Sequence, residues 1–298
     1  MKQFISIGTF DGVHTGHQHL FNTLETRAAL HRQRAQVLYF PLPPKTLLST
    51  QPEMSVLTLP NEKKALLKKL GVQATALDFQ QLRALSPRQF FNRLVHQYNL
   101  GGLLIGADFA FGKDREGSAV FLREACAEKN IPFEVLPFYK EGHEKISSSL
   151  IRKILAQGNI PHANLLLGRP YELTGRVITG HKLGRKLGYP TANLDTGIYK
   201  ILPLGVFAVK VRVGTRYYDG FCNIGFRPTV NTLSTRLPLV EVHIFNFKQS
   251  IYGRNITIWF YEKLRDEMKF DGLDALKAQL AKDKLTAAEM LRTVKLPL

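Results

Sequence analysis

The spacing of apolar residues changes near Gly168, just past the middle of a chain of 298 residues. Before this point, the apolar runs 3–7 and 36–40 flank a helical stretch from His17 to about Arg34, which is the strand, helix, strand pattern of a parallel sheet. After it, polar and apolar residues alternate, as in strands that bury one face. Strand candidates of this second type begin at Gly205, Arg216, Leu239 and Asn255. The second half therefore predicts an antiparallel sheet or small barrel.

This change in pattern predicts two domains, and the length of the chain also exceeds the usual size of one domain. We expect an α/β domain with a Rossmann-like parallel sheet over residues 1–160 and a barrel domain over residues 168–298. The end of the chain predicts a helix with Leu273, Leu276 and Leu280 on one face. We expect this face to pack against the barrel.

The composition restricts the class of protein and its partners. A hydrophobic content of 44% with 22% charged residues is ordinary for a globular protein, and the net charge of +17 attracts anions such as nucleotides and phosphates. The basic residues form no arginine-rich tail and no repeat, so we expect them to be dispersed over a folded surface. No apolar run approaches the roughly 18 to 20 residues that cross a membrane, and the first residues lack a signal-peptide pattern. We therefore expect a cytoplasmic protein.

The chain has two cysteines, Cys126 and Cys222, which lie far apart and lack the spacing of metal ligands. The pattern predicts neither a disulfide framework nor a zinc site. We expect both thiols to be reduced and buried.

The stretch "GTFDGVHTGH", residues 8–17, joins the first predicted strand to the first predicted helix. A glycine-rich turn at such a junction directs free backbone N–H groups and the positive end of the helix toward whatever lies above the sheet, and an anion fits there. His14 and His17 would present their imidazoles toward the same place, which suits the phosphates of a nucleotide. The other candidate binding residues of the turn are Gly8, Phe10, Asp11, Gly12 and Gly16.

The H-x-G-H arrangement at this junction resembles the signature of the nucleotidylyltransferase superfamily, whose members join the nucleotidyl group of an NTP to an acceptor phosphate and release pyrophosphate. Such a reaction needs no covalent protein intermediate, because orientation and charge stabilisation are sufficient. In this reaction, His14 and His17 would donate hydrogen bonds to phosphate oxygens as negative charge builds on them. Asp11 would either fix the turn or orient a nucleotide. A glycine pair or one histidine alone would be compatible with an incidental role.

A second candidate element is "ISSSLIRK", in which Ser147, Ser148 and Ser149 precede a predicted helix and Arg152 lies one turn inside it. Three hydroxyls and a guanidinium can clamp phosphate oxygens. Serine is also a common N-cap of helices. The residues alone leave both interpretations open.

The second half carries "GHKLGRKLGYPTANL", residues 180–194, with three glycines and four basic residues before a Pro-Thr-Ala-Asn tetrad. The hydroxyl of Thr191 and the amide oxygen of Asn193 are hard ligands that suit Mg²⁺ bridging the phosphates of ATP. The glycines permit close approach of a loop. A surface hairpin with turn glycines is equally compatible with the spacing. The candidate loop residues are Gly180, Lys182, Gly184 and Gly188.

Further motifs follow in the order seen in riboflavin kinases: "GRKLGYPTANL", "NIGFRPTV", "VEVHIFNF" and "LRDEMKFDGLDALKAQLAKD". Together with "GTFDGVHTGH" and "ISSSLIR", they make nearly the whole chain similar to the bacterial bifunctional riboflavin kinase and FMN adenylyltransferase family, the FAD synthetases. The resemblance implies a C-terminal six-stranded barrel that phosphorylates riboflavin to FMN and a nucleotidylyltransferase-like N-terminal domain that adenylylates FMN to FAD. It also implies ATP as co-substrate and Mg²⁺ as cofactor.

The resemblance implies roles for residues of the barrel. Glu241 would be the base of the kinase, and because it alternates with Val240 and Val242, its side chain is expected to point away from the apolar face. An ordinary exposed strand glutamate is the alternative. Positions near the flavin site in the family correspond to Arg227, Arg265, Asp266 and Glu267. Trp259 and Phe260 fit barrel packing better than stacking on a flavin.

Two positions depart from the family pattern, both in the first half. Pro43 stands where the family usually has a histidine, and Ala110 stands where an arginine is common. The neighbouring positions that still match the flavin-side loop of the family are Asp108, Phe109, Phe111, Gly112 and Lys113. We expect both activities. The alternative is a riboflavin kinase whose adenylyltransferase half is weakened or non-catalytic.

The net charge of +17 and the two anion-binding turns suggest a hypothesis from another functional class, in which the protein is a non-catalytic flavin- or RNA-binding regulator. Against it, the basic residues are not interleaved with a recognisable nucleic-acid module. We therefore expect small-molecule substrates, no nucleic acid and no membrane as partners, and a monomer or weak homo-oligomer.

Overall fold

The computed structural model describes residues 1–49, 55–109, 111, 117–142, 144–180, 183–226 and 238–296. They divide into two compact units, Met1–Ser148 and Ser149–Leu298. Among the described residues, no helix is long and apolar enough to cross a membrane.

The first unit is built on a sheet of parallel strands in the order β3-β2-β1-β4-β5. The strands are β1 (Gln3–Gly8), β2 (Arg34–Tyr39), β3 (Ala74–Ala76), β4 (Leu100–Gly106) and β5 (Phe133–Leu136). β1 and β4 at the centre are almost entirely buried, as expected for parallel strands covered on both faces. The predicted α/β class is confirmed.

Helices cover both faces of this sheet. They are α1 (Thr15–Leu30), α2 (Pro44–Leu48), α3 (Pro60–Lys69), α4 (Phe79–Leu82), α5 (Pro87–Gln97) and α6 (Ala119–Ala127), followed by the short pair β6 (Lys140–Glu141) and β7 (Glu144–Lys145). α1 and α3 pack on one face around Leu24 and Leu67, and α5 and α6 pack on the other around Phe91 and Leu122. α1 ends before the predicted Arg34, because Arg32 adopts a left-handed conformation (φ 55°) just before β2.

The second unit is a closed antiparallel barrel with the strand order β10-β11-β12-β9-β8-β13. Its elements are α7 (Ser148–Ala156), α8 (Ile160–Leu167), β8 (Tyr171–Ile178), α9 (Leu183–Lys186), β9 (Thr191–Asp195), β10 (Gly205–Val213), β11 (Arg216–Gly225), β12 (Leu239–Ile244), β13 (Asn255–Arg265) and α10 (Leu273–Leu291). Gly168 ends α8 in the left-handed conformation typical of helix C-termini. The predicted six-stranded barrel with a terminal helix is confirmed.

The terminal helix packs on the outside of the barrel, on β10, β11 and β13. Its most buried residues are Asp283, Ala287 and Leu291. Leu276 and Leu280 are half-buried, but Leu273 is 56% exposed, so its predicted place on the packing face is wrong. The reason is that the later turns of the helix make the contact with the barrel.

Several buried side chains agree with the sequence-based expectations. Trp259 and Phe260 lie in the barrel wall, 7% and 0% exposed. Cys126 and Cys222 are free thiols, both buried.

Two candidate active sites

The first unit contains a cleft of about 410 Å³ at the carboxyl ends of β1 and β4. The order of the strands reverses between these two neighbours, and in open parallel sheets ligands bind at that point. Gly8 ends β1 and lines the cleft, and Asp108 and Phe109 follow β4 and line it as well. The fold alone therefore makes this cleft a candidate binding site.

The two histidines of the H-x-G-H motif lie together in this cleft. His14 precedes the first turn of α1 and His17 lies within it, and their rings stack with centroids 3.6 Å apart. The Phe10 ring meets the His17 ring edge-on, with the ring centroids 5.3 Å apart. A Cβ at Gly16 would come within 3.2 Å of His14 Nδ1, so a glycine permits this close approach. The structure thus brings together four predicted residues of the turn.

The turn before α1 has an unusual backbone. Phe10 (φ 44°), Gly12 (φ 83°) and Val13 (φ 43°) are all left-handed, and this conformation is particularly unfavourable for a β-branched valine. Such a turn persists only if its surroundings hold it in place.

Asp11 holds this turn. Its carboxylate, in a residue only 1% exposed, accepts hydrogen bonds from the main-chain N–H groups of Leu57 and Thr58, at 3.0 Å each. The N–H of Gly12 donates to Thr58 Oγ1 at 3.1 Å. Asp11 and Gly12 are not among the residues that line the cleft. Of the two roles considered for Asp11, the contacts favour fixing the turn.

The serine run takes part in the same cleft. Ser147 and Ser148 line it, and Ser148 Oγ donates to the main-chain oxygen of Asp11 at 2.8 Å. Ser148 therefore stabilises the turn, and Ser147 is the serine of this pair that remains a candidate for binding phosphate. Ser149 and Arg152 belong to the second compact unit, and their phosphate-binding role stays a prediction.

The residues of this cleft that the sequence did not predict include Lys45, Phe138, Tyr139 and Lys145. Lys145 Nζ lies 3.1 Å from the centroid of the Phe138 ring and 4.0 Å from Asp108 Oδ2. Lysines at a cleft raise its positive potential and favour anionic ligands. The only signal in the sequence for Lys145 is its place two residues before Ser147. Pro43 also lines the cleft, whereas Ala110, Gly112 and Lys113 lie outside the described residues.

The second unit has a cleft of about 300 Å³ between the outer face of the barrel and α10. Glu241 lines it and is half-buried. Its cross-strand partners are Asn193 on β9 and Asn223 on β11, and such partners have Cβ atoms about 5 Å apart. Val240 and Val242, on either side of Glu241, are buried. The carboxylate thus lies away from the apolar face and between two amides.

The glycine-rich loop approaches β9 closely. A Cβ at Gly180 would collide with the side-chain amide of Asn193, and a Cβ at Gly184 would collide with the carbonyl oxygen of Tyr189. Gly188 has a φ of 85°, which favours glycine. Glycine is therefore required for space at Gly180 and Gly184 and is favoured by the backbone conformation at Gly188. Lys182 lies outside the described residues.

The oxygen donors at this place suit a hard cation. Thr191 lines the cleft and is half-buried. Asn193, two residues further along β9, is 7% exposed and is not among the lining residues. The described residues contain no group of three or more His, Cys, Asp or Glu that could hold a metal ion. A cation here would therefore depend on these neutral oxygens and on the phosphates of a nucleotide, as Mg²⁺ often does.

Arg265 and Glu267 both line the second cleft. The guanidinium of Arg265 donates to the carboxylate of Asp283, which is 3% exposed, with distances of 3.0 and 2.7 Å. Asn223 Nδ2 lies 3.5 Å from Glu267 Oε1. Arg265 therefore joins α10 to the barrel in addition to facing the cleft. Arg227 lies outside the described residues.

His243 fixes the segment that leads into β9. Its Nδ1 lies 2.9 Å from the carbonyl oxygen of Pro190, which can only accept a hydrogen bond, so Nδ1 carries a proton. Burial lowers the pKa of His243 below its usual value, although the hydrogen bond to Pro190 opposes this shift. A neutral imidazole thus anchors the residue that precedes Thr191.

Comparison with known proteins gives a match for each half of the chain. The family model described as FAD synthetase matches residues 1–150, and that described as riboflavin kinase matches residues 167–291. The bifunctional riboflavin kinase/FMN adenylyltransferase of Bacillus subtilis is 36% identical over 96% of this chain and 92% of its own length. The protein of the same name from Escherichia coli is 36% identical over 98% and 93%.

A solved structure has the same fold over nearly the whole chain. It is titled macrolide-efflux protein from Streptococcus pneumoniae, has 31% sequence identity and a TM-score of 0.85, and the match covers 96% of this chain and 94% of that one. It supports the arrangement of the two folds along one chain.

Proposed function

Because the chain belongs to the bifunctional riboflavin kinase/FMN adenylyltransferase family, we propose that its two clefts catalyse the two reactions of this family. The protein phosphorylates riboflavin to FMN and adenylylates FMN to FAD, with ATP as co-substrate in both steps. The observation that carries the proposal is that the two sets of motifs fold into two clefts, each within one compact unit. We propose residues 1–160 as the adenylyltransferase domain and residues 168–298 as the riboflavin kinase domain.

In the first cleft, a phosphate oxygen of FMN attacks the α-phosphorus of ATP, and the bond from this phosphorus to the departing pyrophosphate breaks. His14 and His17 donate hydrogen bonds to phosphate oxygens as charge builds in the transition state. Lys45 and Lys145 help to neutralise the two anionic substrates. Gly8 and Phe10, which line the cleft, contact the nucleotide. No protein atom becomes covalently bonded to substrate.

In the second cleft, Glu241 accepts the proton of the ribityl 5′-hydroxyl of riboflavin while that oxygen attacks the γ-phosphorus of ATP and ADP leaves. Asn193 and Asn223 flank the carboxylate and orient it. Thr191 and Asn193 are the residues that would hold Mg²⁺, which supplies charge neutralisation of the ATP phosphates.

The alternative of a weakened or non-catalytic adenylyltransferase half rests on the substitutions at positions 43 and 110. Pro43 lines the first cleft, so a histidine side chain at this position would have reached it. The cleft nevertheless retains His14, His17, Asp108 and Ser147. These residues favour an active site that tolerates both substitutions.

The test is chromatography of FMN and FAD after incubation of the purified protein with ATP, Mg²⁺ and either riboflavin or FMN. We expect FMN from riboflavin and FAD from FMN. FMN as the sole product would support the weakened alternative. No product from either flavin, together with RNA binding that weakens steeply with salt, would support the regulator. The cytoplasmic location and the oligomeric state expected from the sequence stay predictions.

A further inference from the structure

Lys63, on α3, is a lysine with 0% of its surface exposed. Its ammonium donates to three main-chain carbonyl oxygens, those of Thr9 at 2.6 Å, Phe40 at 2.9 Å and Pro41 at 3.0 Å. Removing an ammonium from water is costly, and the three hydrogen bonds that the carbonyl oxygens accept offset this cost.

The three carbonyls belong to two neighbouring strand ends. Thr9 follows β1 directly, and Phe40 and Pro41 follow β2. The last residue pair of the parallel ladder between these strands is Gly8 and Tyr39. One further hydrogen bond runs from the N–H of Phe40 to the carbonyl oxygen of Gly8, at 3.1 Å. Lys63 thus connects the two segments beyond the point where the hydrogen bonds of the sheet end.

Both segments continue along the first cleft. Thr9 and Phe40 line it, Thr9 leads into the left-handed turn before His14, and Phe40 leads to Lys45. Because their carbonyl oxygens point at a buried ammonium, these oxygens are directed into the protein. A carbonyl oxygen directed into the cleft would instead repel the phosphates of a nucleotide.

We propose that Lys63 is a positioning residue for adenylyl transfer, which rests on the function proposed above for the first cleft. It holds the β1 and β2 ends at one spacing and turns their carbonyl oxygens away from the phosphates. His14 and His17, which follow the end of β1, and the segment 43–45, which follows the end of β2, then meet the substrates in alignment. Lys63 touches neither ATP nor FMN.

The experiment compares Lys63→Met, which removes the ammonium but keeps an unbranched side chain, with Lys64→Met at the adjacent exposed lysine. For Lys63→Met, we expect the kcat of FAD formation from FMN to fall on the order of 10²-fold, with a much smaller change in the KM for ATP, because the binding groups remain but are misaligned. FMN formation from riboflavin should not change in either variant. Equal kcat values for the two variants would overturn the proposal.

The two cysteines report the folding of each unit separately. Both are buried, and burial raises the pKa of Cys126, in the first unit, to about 12 and that of Cys222, in the second, well above its usual value. In Lys63→Met, we expect Cys126 to stay as slow to react with a thiol reagent as in the unmodified protein. Loss of FAD formation together with rapid labelling of Cys126 would show that Lys63 serves folding alone, and would overturn the proposal.

A second variant tests the charge itself. In Lys63→Ala, propylammonium ion matches the atoms that the substitution removes, so we expect it to restore part of the kcat for FAD formation. 1-Propanol, a neutral molecule of similar size, should not. Equal rescue by both would overturn the role of the ammonium. An unmodified protein that forms no FAD would instead overturn the proposed function of the first cleft and this proposal with it, so the two failures are distinguishable.

Discussion

Asn193 of β9 and Glu241 of β12 lie directly opposite each other in the antiparallel barrel. The pairing places the proposed base of the kinase beside the Pro-Thr-Ala-Asn segment, although 47 residues lie between the two in the sequence. A slip of one residue would turn Glu241 toward the side where Val240 and Val242 are now buried. The register of this strand pair is therefore as important for the kinase site as the identity of the two residues.

Replacement of the base tests the kinase site. Glu241→Gln keeps the shape of the side chain but removes its capacity to accept a proton. We expect FMN formation from riboflavin to fall about 10²-fold to 10⁴-fold, the usual contribution of a general base. FAD formation from supplied FMN should be unchanged, as measured by chromatography. Equal loss of both activities would contradict the assignment of two separate sites.

Removal of the stacked imidazoles tests the other cleft. We expect His14→Ala combined with His17→Ala to lower FAD formation from FMN by at least about 10²-fold, because hydrogen bonds to the developing phosphate charge are lost. FMN formation should be unaffected. His96→Ala, at an exposed histidine of α5, is the matched control and should keep both activities. Normal FAD formation by the double variant would refute the role of the pair.

The hydrogen bonds of Asp11 make a prediction about stability. Asp11→Asn keeps Oδ1 as the acceptor for the N–H groups of Leu57 and Thr58 but replaces Oδ2 by an NH₂ group that faces the N–H of Leu57. Two donors then oppose each other at a buried position. A buried donor left without its acceptor costs about 1–3 kcal/mol. We expect the free energy of unfolding of the first unit to fall by about this amount in denaturant titrations followed by labelling of Cys126. Asp78→Asn is the control, since asparagine also caps a helix well; an equal effect of both substitutions would argue against the role of Asp11.

His243 predicts how the stability of the barrel depends on pH. Its pKa is lowered mainly by burial, so the unfolded chain binds a proton more readily than the folded one. The contribution of neutral His243 to stability is therefore fully present above the ordinary histidine pKa of about 6.5 and is lost as the pH falls through the lower folded pKa. Lys284, which also disfavours the charged imidazole, adds to the effect.

The measurement is thermal unfolding of the second unit between neutral and acidic pH, followed by the exposure of Cys222. We expect His243→Gln to be less stable than the unmodified protein at neutral pH and to show a smaller further loss on acidification. Parallel losses in both proteins would contradict the account of His243.

The sequence predicted the parts of both sites that depend on local pattern. The junction of β1 and α1 follows from an apolar run and a glycine-rich turn, and so does the proximity of His14 to His17, which are three residues apart on one helical turn. The outward direction of Glu241 follows from strand alternation. These features depend on neighbours in sequence, so periodicity was sufficient to find them.

The residues that were missed depend on distant neighbours. Lys63 belongs to "NEKKALLKK", where four lysines look like the exposed side of an amphipathic helix, and only the packing of α3 against the ends of β1 and β2 shows that one of them is buried. Asn223 lies within the motif "NIGFRPTV", but its place beside Glu241 depends on the barrel register. Asp283 gives no signal in sequence that it pairs with Arg265.

The central claim is that one chain carries two independent active sites, and a complementation assay tests it most directly. Glu241→Gln and the His14→Ala, His17→Ala double variant are each incubated with riboflavin, ATP and Mg²⁺, first alone and then mixed. We predict that each variant alone forms FAD at least about 10²-fold more slowly than the unmodified protein. The mixture should form FAD much faster than either variant, since FMN made by the double variant is adenylylated by Glu241→Gln. FAD formation by one variant alone at the rate of the unmodified protein, or no gain from mixing the two variants, would contradict the claim.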